Sequence, residues 1–210
     1  MKKSSFASLL VIFFLGCAPP NTTKIYINPS LNSTKITSVA VFPLRNAAAT
    51  QRDISLTTGD MIEINKMFQT AFAEKNSKIN MINSFSSVEL LNQGSLVDLY
   101  GNLLSVYEQT GVLNTETLKK IGQYLKTDAI IQGFVMQVYQ RDGAFIGLNG
   151  TPGETKVTIK YTMFSTVSGD VLWEASCDGY KGVNAFKKAP PVSDAVEKLR
   201  EKIISAIPIL

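Results

Sequence analysis

The side chains with the most chemistry in this chain are two cysteines, Cys17 and Cys177. A thiolate attacks a substrate or binds a metal when a neighbouring base or cation lowers its pKa. The usual base is histidine, and the chain contains none. Ser-His-Asp and Cys-His catalysis are therefore excluded, and so is a zinc site built from His and Cys ligands. The 17 acidic residues are scattered rather than paired. No GxxxxGKS/T or GxGxxG phosphate loop occurs. The expectation is a chain with no catalytic residue, no metal ligand set and no cofactor. Cys177 lies in VLWEASCDGY, in phase with Val171, Trp173 and Ala175. That is the pattern of a buried, inert strand thiol.

Cys17 has a different setting. The chain opens Met1-Lys2-Lys3, and an apolar run from Phe6 to Leu15 follows, broken by Ser8. The run is about ten residues long, where a helix across a bilayer needs roughly 20. Basic in front, apolar in the middle and small at the back, residues 1–16 read as a secretory signal. Phe14-Leu15-Gly16-Cys17 then resembles the bacterial lipobox, with Phe14 where Leu is usual. The resemblance implies cleavage before Cys17, a diacylglyceryl group on its sulfur and an acylated new amino terminus. Each buried methylene adds about 0.8 kcal/mol, so one chain holds weakly and several hold firmly. Ala18, rather than Asp, follows the cysteine. In Gram-negative lipoproteins that implies the outer membrane, with the protein on its periplasmic face. An ordinary cleaved signal with an incidental cysteine, or a buried amino-terminal helix, are the competing readings. With Cys17 lipidated, Cys177 has no disulfide partner within the chain.

Stepping inward from the anchor, APPNTTKIYINPSLNST reads as an extended stretch with a short strand at Ile25–Ile27. Residues 17–35 thus form the lipidated cysteine and a flexible tether, with a reach of roughly 20–25 Å. Residues 36–210 are long and apolar enough for a single domain with one core. ITSVAVFPLRN reads as a buried strand. In DMIEINKMFQTAFAEKNS, Ile64, Met67, Phe68, Ala71 and Phe72 recur at helical spacing, with Thr58 or Asp60 as the cap and Asn76 as the stop. KINMINS is a short strand. FSSVELLNQ is a helix capped by Ser86 or Ser87, and residues 94–114 are weakly helical. NTETLKKIGQYLKTD is a clearer helix, with Leu118, Ile121 and Leu125 on one face. AIIQGFVMQVYQR is a strand. TKVTIKYTMFST alternates Val157, Ile159, Tyr161 and Met163 against Lys156, Thr158, Lys160 and Thr162. VSGD turns that strand back into VLWEASCDGY as a hairpin. A helix over DAVEKLREKIISAI, capped by Ser193, closes the order β-α-β-α-α-β-β-β-α. The fold class is α/β (α+β): helices on a mixed sheet whose last strands form an antiparallel meander.

The formal charge is +4, and losing Lys2 and Lys3 with the signal brings the chain nearer neutrality. No long basic run exists, so no nucleic-acid partner is expected. Lys181, Lys187 and Lys188 could face a membrane or a polyanion, or simply water. RDGAFIGLNGTPGE (141–154) reads as a Gly-rich loop carrying Phe145, Ile146 and Leu148. Solvated loops rarely hold three such residues. They either contact a partner or fold back on the sheet.

SVAVFPLRN, LKKIGQYLKTDAIIQGFV and SGDVLWEAS, in that order, resemble the lipoproteins related to the curli secretion channel CsgG. The strongest matches are Asp128-Ala129-Ile130-Ile131-Gln132-Gly133 and Gly169-Asp170-Val171-Leu172-Trp173. The likeness covers roughly residues 36–207. It implies a fold of the anticodon-binding or TolB amino-terminal type, shared with LpoB and PelC. Such relatives include a secretion pore, an exopolysaccharide export ring and an activator of peptidoglycan synthases. A pore needs membrane-crossing strands of about 9–11 residues, and Gly143–Gly153 is too short and too Gly-rich for a pair. An activator that reaches an inner-membrane enzyme needs a long tether. The resemblance and the short tether together imply a membrane-proximal, non-catalytic scaffold in envelope export or surface-structure assembly. Its partners would be the membrane, through the anchor, other envelope proteins and further copies of itself as a homo-oligomer. The rival is the synthase activator.

Overall fold

The computed structural model describes residues 22–47, 55–146, 149–185 and 187–210. Cys17 and the signal segment lie outside them. The centre of the fold is the parallel pair β2 (Ser38–Val41) and β5 (Ala129–Arg141), with Val39 opposite Ala129 and Val41 opposite Ile131. Val39–Val41 of β2 and Ala129–Val135 of β5 are buried on both faces, which is why they read as near-continuous apolar runs rather than as alternation. Asp128 sets their register. Its Oδ2 accepts from the backbone N–H of Thr37 (2.8 Å) and of Ser38 (3.0 Å), and from both hydroxyls (2.8 and 3.1 Å).

Around this pair the main sheet runs β1-β9-β8-β5-β2-β4. Its other members are β1 (Thr23–Ile27), β4 (Asn80–Ile82), β8 (Gly153–Ser165) and β9 (Val171–Val183). A two-residue strand, β3 (Arg45–Asn46), adds to β5. Strands β5, β8 and β9 are antiparallel neighbours, the expected meander. The fold class is thus mixed α/β, as read from the sequence.

Two layers of helix cover the sheet. Helices α1 (Thr58–Lys75) and α5 (Val192–Ala206) pack on one face, with Phe68, Phe72, Leu199 and Ile203 against Val157, Ile159, Tyr161 and Trp173. Phe68 stacks on Tyr161 at 4.0 Å between ring centres. Helices α2 (Ser84–Gln93), α3 (Val97–Thr110) and α4 (Thr115–Leu125) pack on the other, around Phe42, Ile130, Phe134 and Phe164. Gly179 lets α5 approach β9, because a Cβ there would collide with the carbonyl of Ala195.

Several expectations are corrected. The stretch expected as a tether supplies β1, which pairs antiparallel with β9 from Thr23 opposite Cys177 to Ile27 opposite Trp173. A 3-10 turn at Pro29–Asn32 follows, started by the Asn28 side chain accepting from Ser30 N–H. The ordered body therefore begins well before residue 36. Residues 94–114 contain a full helix, α3. The cap of α2 is Asn83, whose Oδ1 accepts from Ser86 N–H (3.0 Å), not Ser86 or Ser87. Helix α1 is capped by Thr57, with Asp60 completing a capping box. Helix α5 begins two residues earlier than expected, after Pro191, and Ser193 lies inside it. Val171 does not share a face with Trp173. A bulge opposite Met163 and Phe164 inserts Leu172, which joins Trp173 in the core of the α1 face and sends Val171 to the α2–α4 face.

Candidate functional site

Leu148, like Cys17, lies outside the described residues. Phe145 and Ile146 sit on β6 (Ala144–Ile146), which pairs with β7 (Asn149–Thr151), Phe145 opposite Gly150 and Ile146 opposite Asn149. The segment expected as a loop is thus a small hairpin. Its base is held by Gly143 N–H donating to the Lys187 carbonyl (2.9 Å) and by Ala189 N–H donating to Asp142 Oδ1 (2.7 Å). Cys177 is buried on the inner face of β9, and burial pushes its thiol up to about 11. A thiol so placed stays protonated and out of reach, an inert core group.

The uncovered half of the sheet is polar. On β8 and β9, Lys160 Nζ meets Glu174 (3.2 Å) and Lys156 Nζ meets Asp178 (3.1 Å). The hydroxyls of Thr162 and Thr158 donate to the same two carboxylates. Lys160 also lies over the rings of Tyr107 and Phe134. Lys156 and Lys160 are thus each matched to a carboxylate on the neighbouring strand.

The concave site lies at the other edge, where α1 and α2 flank the carboxyl ends of β2 and β4. Strand β2 leads through Phe42 into Pro43 and Leu44, which form the floor. Pro43 is fixed from below: buried Gln132 donates to its carbonyl (2.7 Å) and accepts from the Tyr100 hydroxyl (2.9 Å). Burial raises the pKa of Tyr100, which keeps that hydroxyl protonated as a donor. The walls come from Thr58, Met61, Ile62 and Asn65 of α1, and from Phe85, Val88, Glu89 and Asn92 of α2. On each helix these positions recur three and four apart, one stripe per helix. Together they enclose about 780 Å³, within the size range of ligand clefts.

Gln69 ties the walls together. Its amide donates to Ser84 Oγ (3.1 Å) and its oxygen accepts from Ser84 N–H (2.8 Å). Asn65, one turn away on α1, has no such partner. It is 4% exposed, and its Oδ1 receives no hydrogen bond. At the mouth, Ile62 is 63% and Phe85 79% exposed. A second depression, of about 570 Å³, adjoins the first across Gln69 and Phe85 and continues past Met81 and Asn83 to Glu74.

Sequence reasoning missed this groove. The apolar face it assigned to α1, through Ile64 and Phe68, points to the core. Ile62 stands outside that stripe, and an exposed apolar residue on the helix's solvent side was the signal available.

No protein-family model and no curated protein matches the chain. Among solved structures it is similar in chain path to a PelC dodecamer from Paraburkholderia phytofirmans, at 13% identity and a TM-score of 0.46, over 90% of this chain and 99% of that one. It is similar to lipoprotein GNA1162 from Neisseria meningitidis at 15% identity and 0.40, over 70% and 83%. It is also similar to the LpoB C-terminal domain from Escherichia coli at 11% and 0.40, over 68% and 81%.

Proposed function

We propose that this chain is a lipid-anchored, non-catalytic assembly component on the periplasmic face of the outer membrane. It would serve an envelope export or surface-structure system, as a homo-oligomer with other envelope proteins as partners. The observation that carries the reading is a spacing. The lipobox cysteine, Cys17, precedes Thr22 by five residues, and Thr23 already opens β1. At no more than ~3.6 Å per residue, that link reaches about 18 Å. An anchor at Cys17 therefore holds the folded body against the membrane. A span that short disfavours the rival reading, an activator that must reach an inner-membrane synthase.

The chemistry of the body agrees. Cys177 is buried and protonated, and Lys156 and Lys160 on the sheet face are paired with carboxylates. The order of the motifs SVAVFPLRN, DAIIQGFV and SGDVLWEAS supports an envelope role through the resemblance described above. Among the described residues no helix is long and apolar enough to cross a membrane, so the anchor would supply the attachment.

Light scattering on the full chain in detergent, across a concentration series, tests the assembly. A discrete mass several times that of the monomer, constant on dilution, is the expected result. A monomer at every concentration that forms a one-to-one complex with a cell-wall synthase would transfer the reading to the activator.

A further inference from the structure

We infer that the groove between α1 and α2 is a docking site for an extended, apolar peptide segment of a partner protein, one of whose backbone N–H groups donates to Asn65 Oδ1. The inference rests on the groove itself and stands whether or not Cys17 is lipidated.

The first observation is the orphaned acceptor. Buried polar groups are almost always paired, and an unpaired one destabilises the protein that carries it. Asn65 is buried, its Oδ1 is bare, and the residue is among those lining the groove. The occupant must therefore bring a donor. A lipid acyl chain has none and would seal the defect in place.

The second observation is shape. The two adjoining depressions follow α1 from Thr58 to Glu74. At 1.5 Å per residue that is about 24 Å of helix, the length of about seven extended residues. A long furrow suits an extended chain better than a compact small molecule.

The third is the floor of the second depression. Strand β4 ends the sheet, and among the described residues no strand pairs with its outer side. A peptide laid there meets the free backbone groups of a sheet edge, and strand addition is a common mode of peptide capture. Ile62 and Phe85 stand at the mouth as apolar contacts for alternate side chains. Lys66 and Glu89 line the first depression, and Lys66 and Glu74 the second. That mixture of signs matches a peptide of low net charge rather than an anion.

The test uses the full chain in phospholipid nanodiscs, with methyl-labelled Met and Ile, titrated with the peptide Ac-Leu-Thr-Leu-Ser-Phe-Thr-Leu-amide. The methyl signals of Met61 and Ile62 are expected to shift saturably, and empty nanodiscs serve as the control. Each backbone N–H of the peptide is then replaced in turn by an ester oxygen. One position is expected to weaken binding about tenfold or more, and the others little. Asn65→Leu is expected to raise the melting temperature, because the orphan is gone. It should also bind the parent peptide as weakly as the wild type binds the critical ester. If that variant fails to fold, Phe85→Ser alters only an exposed side chain, and it should lower peptide affinity at an unchanged melting temperature. Unshifted Met61 and Ile62 methyls, a flat ester scan, or undiminished binding by the folded variants would overturn the inference. So would shifts of the same methyls with dodecanoate, which would make the site a lipid cleft. Shifts with protein concentration alone would make it an interface between copies.

Discussion

At the scale of single residues, Asp128 holds more of the fold than any other carboxylate described above. One oxygen collects two backbone and two hydroxyl donors at the point where β2 and β5 begin. Its partial burial alone would raise its pKa, but the bonds from Thr37 and Ser38 outweigh that and hold it below the ordinary carboxylate value. The sign follows directly. A carboxyl depressed in the folded state contributes stability that is present above its unfolded pKa, near 4, and is lost as pH falls through the folded value. Asp128→Asn keeps the shape and weakens the four bonds. It should lower stability at pH 7 by about 1–2 kcal/mol. The gap from the wild type should narrow as urea melts are repeated at pH values falling below about 4. A gap independent of pH would show that the charge is not what matters there.

At the scale of elements, what was legible depends on where each element's stabilisation comes from. The alternation of Val157, Ile159, Tyr161 and Met163 with Lys156, Thr158, Lys160 and Thr162 survives intact, because one face of β8 is buried and the other polar. Helix α1 was legible for the same reason, through Ile64, Phe68 and Phe72. Strand β1 was barely legible. Ile25, Tyr26 and Ile27 are about half exposed and sit among Pro, Asn and Thr. Their strand conformation comes from backbone pairing with β9, some 150 residues away, which no local pattern records. The Leu172 bulge is equally a matter of two strands and not of one. The groove was invisible because its walls belong to helices from opposite layers. Its one odd residue, Asn65, reads in sequence as an ordinary helical polar group.

Strand β1 yields its own prediction. A chain starting at residue 36 lacks β1 and bares the outer edge of β9, including the strip beside Cys177 and Trp173. Against a chain starting at residue 18, it should melt several degrees lower and aggregate on concentration, since an uncovered edge invites strand pairing. Equal melting temperatures and solubility would mean that β1 adds nothing to the body.

At the scale of the whole molecule, the proposed anchor precedes one edge strand of the sheet in the chain, and the proposed docking site lies beside the other edge strand. Cys17 precedes the start of β1 by six residues, a link of at most about 22 Å. Strand β1 forms one edge of the sheet, and β4, with the groove beside it, forms the other. The first described strand and the proposed docking site therefore lie at opposite edges of one sheet. Everything in this account that concerns location depends on Cys17. The most direct measurement is the intact mass of the full chain expressed in a Gram-negative host and purified from its membranes. The account predicts a mature chain that begins at Cys17, heavier than its polypeptide by a diacylglyceryl group and an amide-linked acyl chain, and a Cys17→Ala variant without that mass. A chain that begins elsewhere, or one in which Cys17 keeps a free thiol, would contradict it.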